Sequence, residues 1–151
     1  MTCREVSSLK ETETLARQMA AYLKAGDVVC LTGDLGAGKT TFTQVLCKAL
    51  GVEEPVTSPT FSLIQEYQGS LPVYHFDAYR MNRPAELVEL GGEEYLYGTG
   101  VCVIEWADRV REYMPENSLW IRIQWAGQNQ RRFCLESGGK SCPRLKELFI
   151  S

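Results

Sequence analysis

Gly33-Asp34-Leu35-Gly36-Ala37-Gly38-Lys39-Thr40 decides how this 151-residue chain is read. It matches the spacing G-x-x-x-x-G-K-[ST], the P-loop. Each residue type in that pattern has a physical task. Glycines let the backbone turn so that successive N–H groups face inward toward phosphate oxygens. A helix starting where the loop ends adds its positive N-terminal end. In such a loop the lysine, here Lys39, reaches the β- and γ-phosphates, and the hydroxyl of Thr40 binds Mg²⁺. The expected nucleotide contacts are Gly33, Asp34, Gly36, Ala37, Gly38, Lys39, Thr40 and the next residue, Thr41.

The flanks fit. Val28-Val29-Cys30-Leu31 is a short apolar run of the kind buried in a parallel sheet. From Lys39 onward, Phe42, Val45, Leu46, Ala49 and Leu50 fall on one helical face, with Gly51 at the expected C-terminal cap. Upstream, Ser8-Leu9-Lys10-Glu11 spells a capping box before a helix carrying Leu15, Ala16, Met19, Ala20 and Leu23, which Gly26 is expected to end. Downstream, residues 51–60 read as a loop, with Pro55 and Pro59 keeping their predecessors out of helix. Phe61–Tyr67 and Val73–Tyr79 read as a hairpin, Pro84–Leu90 as a short helix closed by Gly91-Gly92, and Val101–Ile104 as a second wholly apolar strand. Leu119–Trp125 alternates, turns through residues 126–129, and returns as Arg131–Glu136; Pro143–Phe149 closes the chain as a helix. The sum predicts an α/β fold: one P-loop NTPase-like domain over residues 1–151. Its sheet is mixed, parallel around the P-loop strand and antiparallel in the later hairpins, with flanking helices.

A P-loop needs a further acidic group for its metal, at the end of another strand. Glu105 follows the run Val101–Ile104, and Asp77 follows the more mixed Val73–Phe76. The apolar run is the better match for an interior strand and favours Glu105. Thr57-Ser58-Pro59-Thr60 groups three hydroxyls around a proline and suits a switch loop sensing the γ-phosphate, with Ser58 and Thr60 as its sensors; a self-bonded turn is the plainer alternative. Arg80 and Arg83 follow Asp77 and serve either phosphate charge or a partner, unless they are simply solvated. His75 shares a strand face with Asp77 and suits a hydrogen-bonded structural role better than that of a base. Trp106, directly after Glu105, suits core or rim better than base stacking.

Composition narrows the function. The chain has 16 Lys+Arg against 19 Asp+Glu, a net charge of −3, and His75 as its single histidine, which excludes a site built from several imidazoles. A pI near 5.3 argues against a stand-alone nucleic-acid binder but not against a subunit of an assembly that handles nucleic acid. Cys3, Cys30, Cys47, Cys102, Cys134 and Cys142 include no C-x-x-C pair and read as free, small hydrophobes in a reducing compartment. No apolar run approaches the ~18 residues of a membrane span, and no secretory pattern opens the chain, so a cytoplasmic protein is expected.

Four landmarks come in a specific order: Gly33 through Phe42, Thr57-Ser58-Pro59-Thr60-Phe61, His75-Phe76-Asp77-Ala78-Tyr79-Arg80, and Ile104-Glu105-Trp106. Over about residues 8–125 the chain resembles the bacterial TsaE (YjeE) family. The resemblance implies an ATP-binding, weakly ATP-hydrolysing, Mg²⁺-dependent subunit. It would work with TsaD and TsaB in placing threonylcarbamoyl on N6 of adenosine 37 of tRNAs reading codons that begin with A. It would not be the transferase itself, and tRNA would be met through the partners. The resemblance also implies Glu105 as Mg²⁺ ligand, Asp77 as a residue needed for hydrolysis, Glu11 and Thr12 on the adenine side, and a functional Trp106. Two other classes stand beside it: a small-molecule, nucleoside-type kinase, against which no second arginine-rich lid is found, and a nucleotide-bound scaffold without turnover.

Overall fold

In the computed structural model, which describes residues 2–34, 36–57, 63–137 and 143–149, the two wholly apolar runs become neighbouring interior strands. β2 (Val28–Thr32) pairs in parallel with β5 (Val101–Glu105), Val29 beside Val103 and Leu31 beside Glu105. Their side chains alternate between two cores, so every position is buried. Val29, Leu31, Val101 and Val103 enter one core; Val28, Cys30, Cys102 and Ile104 enter the other.

The first core is closed by α1 (Leu9–Ala20) and α2 (Lys39–Ala49), through Leu15, Met19, Phe42 and Leu46. The second lies under two short helices, α3 (Glu86–Glu89) and α4 (Gly92–Leu96), and a 3₁₀ segment at Ala107–Tyr113. The remaining strands are β1 (Thr2–Val6), β3 (Ile64–Gln68), β4 (Pro72–Asp77), β6 (Leu119–Gly127) and β7 (Gln130–Ser137). One seven-stranded sheet results, in the order β1-β7-β6-β2-β5-β4-β3. β6, β2, β5 and β4 run parallel; β3 and the β7–β1 pair add antiparallel flanks. The expected mixed α/β architecture holds. A last helix, α5 (Pro143–Glu147), brings Leu145 and the following Phe149 to the α1–α2 core.

Several local expectations change. α1 begins as the capping box requires, with the Glu11 amide donating to Ser8 Oγ at 3.1 Å and the Glu11 carboxylate accepting from the Ser7 amide. It ends at Ala20, not Gly26. Gly26 adopts φ +92° and donates its N–H to the Gly100 carbonyl just before β5, so it fastens the entry to β2 instead. β4 stops at Asp77 because the Asp77 carboxylate accepts from the Tyr79 amide at 3.1 Å and folds Ala78–Arg80 into a 3₁₀ turn. β1, α4 and the Ala107–Tyr113 segment have no counterpart in the sequence reading.

The cysteines are also corrected. Cys3 and Cys134 stand directly opposite each other on antiparallel β1 and β7 and form a disulfide. Nothing in their spacing of 131 residues announces this; only strand register brings them together. Cys30, Cys47 and Cys102 are free and buried, as expected, and burial pushes each thiol up to about 12. Cys142 lies outside the described residues.

Candidate functional site

The loop between β2 and α2 is built on backbone that only glycine accepts. Gly33 has φ +139°, and a Cβ there would fall 2.2 Å from the Ile123 carbonyl oxygen of β6. Gly38, at φ +109°, starts α2 without a side-chain cap. The first intrahelical bond runs from Phe42 N–H to the Gly38 carbonyl. The first amides of α2 are therefore open to an outside acceptor. They border a cradle of about 190 Å³ lined by Gly36, Gly38, Lys39, Thr40, Thr41, Glu105 and Trp106.

Lys39 is 4% exposed. Its Nζ donates to the carbonyls of Gly33 and Asp34 at 2.5 and 2.7 Å and lies 4.0 Å from the centre of the Trp106 ring. Burial lowers its pKa, opposed by Glu105, Asp108, Asp34 and Asp77. Trp106 holds a left-handed backbone (φ 59°), a conformation costing about 1–3 kcal/mol for a residue with a side chain. That turn carries the indole off the end of β5, over the lysine and against Tyr79 at 4.8 Å.

Two carboxylates meet at the ends of adjacent strands, since Asp77 of β4 is the register partner of Glu105 of β5. Glu105 is 2% exposed and accepts from Thr40 Oγ1 at 2.7 Å and from His75 Nε2 at 2.5 Å. A continuous chain Thr40–Glu105–His75 results. The Nδ1 of His75 is buried without a partner among the described residues. Asp77 accepts from the Tyr79 amide, and its Oδ2 lies 3.4 Å from the half-exposed Arg80. Burial, then the neighbouring Glu105, pushes the Asp77 carboxyl above its ordinary value, against Tyr79, Arg80 and His75. Thr40 and Glu105 offer hard oxygens, one hydroxyl and one carboxylate. That set fits Mg²⁺, which is held by few protein groups plus water and phosphate oxygens.

On the other side of the α2 N-terminus is a larger cavity of about 460 Å³. Ala37, Gly38 and Thr41 form one wall, Ser7, Ser8 and Thr12 another, and Asn129, Arg131 and Phe133 a third. Thr12 thus lines the same cavity as the P-loop residues Ala37, Gly38 and Thr41. The carboxylate of Glu11 is engaged in the helix cap. Asp34 lines a separate hollow with Arg111 and Arg122, while its carbonyl accepts from Lys39. Arg83 pairs with Glu89 at the surface. Ser58 and Thr60 lie outside the described residues, whereas Thr57 is fastened by both its amide and its carbonyl to the Tyr67 hydroxyl. Sequence reasoning missed the third wall. The hairpin reading alone held the signal, because the turn between β6 and β7 and the first residues of β7 lie at the P-loop end of the sheet.

Strand, glycine loop and helix, with a buried carboxylate at the end of the neighbouring parallel strand, define a P-loop-type α/β domain. A family model described as "Threonylcarbamoyl adenosine biosynthesis protein TsaE" matches residues 6–133, and the chain belongs to that family. It is 45% identical to the tRNA threonylcarbamoyladenosine biosynthesis protein TsaE of Bacillus subtilis over 139 residues, 91% of this chain and 87% of that one. The Treponema pallidum protein of the same name is 40% identical, covering 82% and 92% of the two chains. The crystal structure of Bacillus subtilis YdiB superposes with a TM-score of 0.79 at 40% identity, over 97% of this chain and 92% of that one.

Proposed function

We propose that this protein is the ATP-binding, weakly ATP-hydrolysing subunit of an assembly that makes threonylcarbamoyladenosine on tRNA. The observation that carries the reading is the Thr40–Glu105–His75 chain beside the open amides of α2. A backbone cradle for phosphate and oxygen ligands for Mg²⁺ stand side by side. Thr40 and Glu105 would hold Mg²⁺, which neutralises charge on the phosphate oxygens when bound. The protein's residues supply the rest. Lys39 exchanges two backbone carbonyls for phosphate oxygens, a stronger, charge-assisted pairing. His75 holds the Glu105 carboxylate toward Thr40. Asp77, with its raised pKa, is suited to take a proton from an attacking water.

The pathway rests on membership of the TsaE family and on its relatives in threonylcarbamoyladenosine biosynthesis, and the TsaD and TsaB partnership on the family resemblance. A net charge of −3 supports tRNA contact through partners rather than directly. No helix among the described residues is long and apolar enough to cross a membrane. That, with three buried free thiols, supports a cytoplasmic place, against which the Cys3–Cys134 bond stands. The test is phosphate release from ATP by the purified protein, alone and with TsaB and TsaD. The expected result is slow release that rises with the partners. Phosphate transfer to a nucleoside would establish a kinase, and binding with no release in either mixture would establish a scaffold.

A further inference from the structure

We propose that Arg131 is a nucleotide-contacting residue, a guanidinium carried by the β6–β7 hairpin to the α-phosphate side of the bound nucleotide. The proposal deepens the nucleotide-binding reading above and rests on it.

Strand register sets the position. β7 is antiparallel to β6, which is parallel to β2, so the first residues of β7 lie at the end of the sheet where β2 opens into the glycine loop. Phe133 faces the α1–α2 side, its ring 5.0 Å from that of Phe42 in α2. Arg131, two residues earlier, faces the same side, one step nearer the loop. Its Nε lies 3.8 Å from where a Cβ on Gly38 would stand. It therefore borders the phosphate loop itself, and it lines the cavity of about 460 Å³ with Ala37, Gly38 and Thr41.

Arg131 is also electrostatically available. Arg80, Arg83, Arg122 and Arg132 each pair with a carboxylate. Arg131 pairs with none among the described residues. It donates once, to the Gln130 carbonyl at 2.9 Å, and lies 3.8 Å over the ring of Trp125, its register partner on β6. A guanidinium has five N–H donors, and stacking fixes its plane without consuming them. The exposed Trp125, otherwise a costly solvent-facing indole, acts as the rest on which this cation is held.

The α-phosphate assignment follows from the division of the site. Lys39, Thr40 and Glu105 border the small cradle, where the β- and γ-phosphates and the metal belong. Arg131 stands in the larger cavity across the start of α2, which leads toward the nucleoside.

The test is calorimetric titration of ATP, ADP and adenosine into the wild-type protein, Arg131→Gln, Arg131→Lys and Lys39→Ala, with thermal melts of each ligand-free protein. A charge-assisted contact predicts that Arg131→Gln weakens ATP and ADP alike by about tenfold or more and leaves adenosine and the ligand-free melt unchanged. Arg131→Lys should recover part of the loss. Wild-type affinity in Arg131→Gln, with binding lost in Lys39→Ala, would overturn the proposal and leave the nucleotide site standing. A loss for ATP alone would move the contact to the γ-phosphate and overturn the assignment. Absence of nucleotide binding in the wild type would overturn both readings.

Discussion

The two halves of the sheet reach the same site by different rules. On the β2–β5–β4 side, each candidate group stands at a strand's end or at the start of the helix that the glycine loop joins to it. Lys39 and Thr40 open α2 beyond the loop that follows β2, Glu105 closes β5 and Asp77 closes β4. On the β6–β7–β1 side, Arg131 owes its place to the β6–β7 hairpin and the pairing of β6 with β2, and the Cys3–Cys134 pair to antiparallel register between distant strands. Local chemistry specifies the first side, and pairing specifies the second. The first side should therefore fail through lost chemistry when mutated, and the second through lost stability or positioning.

The largest expected effect lies on the first side. Lys39→Ala removes a charged donor from the phosphates, and ATP affinity should fall about a hundredfold. Calorimetry reads this directly, and unchanged affinity would erase the contrast between the two sides. Next comes the flank. Cys3→Ser removes a cross-link between β1 and β7 and should cost about 2–4 kcal/mol of stability in denaturant titration. Reducing the wild-type protein should reproduce the loss. A reduced protein as stable as the oxidised one would mean that β1 is held by its ladder alone.

The smallest effect separates stability from chemistry at one residue. The raised pKa of Asp77 means that the folded chain disfavours its ionised form. Between the ordinary carboxylate value and the raised one, the native state binds more protons than the unfolded state, so this group lowers stability as pH rises. Without Mg²⁺, Asp77→Asn should melt above the wild type at neutral pH while losing hydrolysis, since asparagine keeps the cap on the Tyr79 amide. The gain should fade below about pH 4, where Asp77 is protonated in both states. A lower melting point at neutral pH would show that the Arg80 pairing outweighs burial.

Legibility in the sequence follows the same division. The strand–glycine loop–helix unit, the place of Glu105 at the end of an interior strand and the alternation of buried strands are legible because each depends on neighbours within a few residues. The two wholly apolar runs even announce that helices cover both faces of the sheet. The role of Trp106 was harder to see. Its left-handed turn after Glu105 is a backbone choice that no apolar pattern encodes, and without that turn a large ring beside a buried strand suits core or rim. Arg131, β1 and the disulfide were not readable, because a polar residue beside a hairpin turn looks solvated until register shows what stands opposite. Glu11 shows the converse. The capping box was legible, and the cap engages the carboxylate that the family resemblance placed near adenine.

The central claim is that Glu105, buried between Thr40 and His75, holds the metal that the P-loop chemistry requires. The most direct measurement is Mg²⁺-dependent phosphate release by Glu105→Ala in the presence of the partner subunits, with ATP affinity measured on the same sample. Release should fall about a hundredfold or more while ATP remains bound. Wild-type release with its normal Mg²⁺ dependence would contradict it and transfer the metal to Asp77.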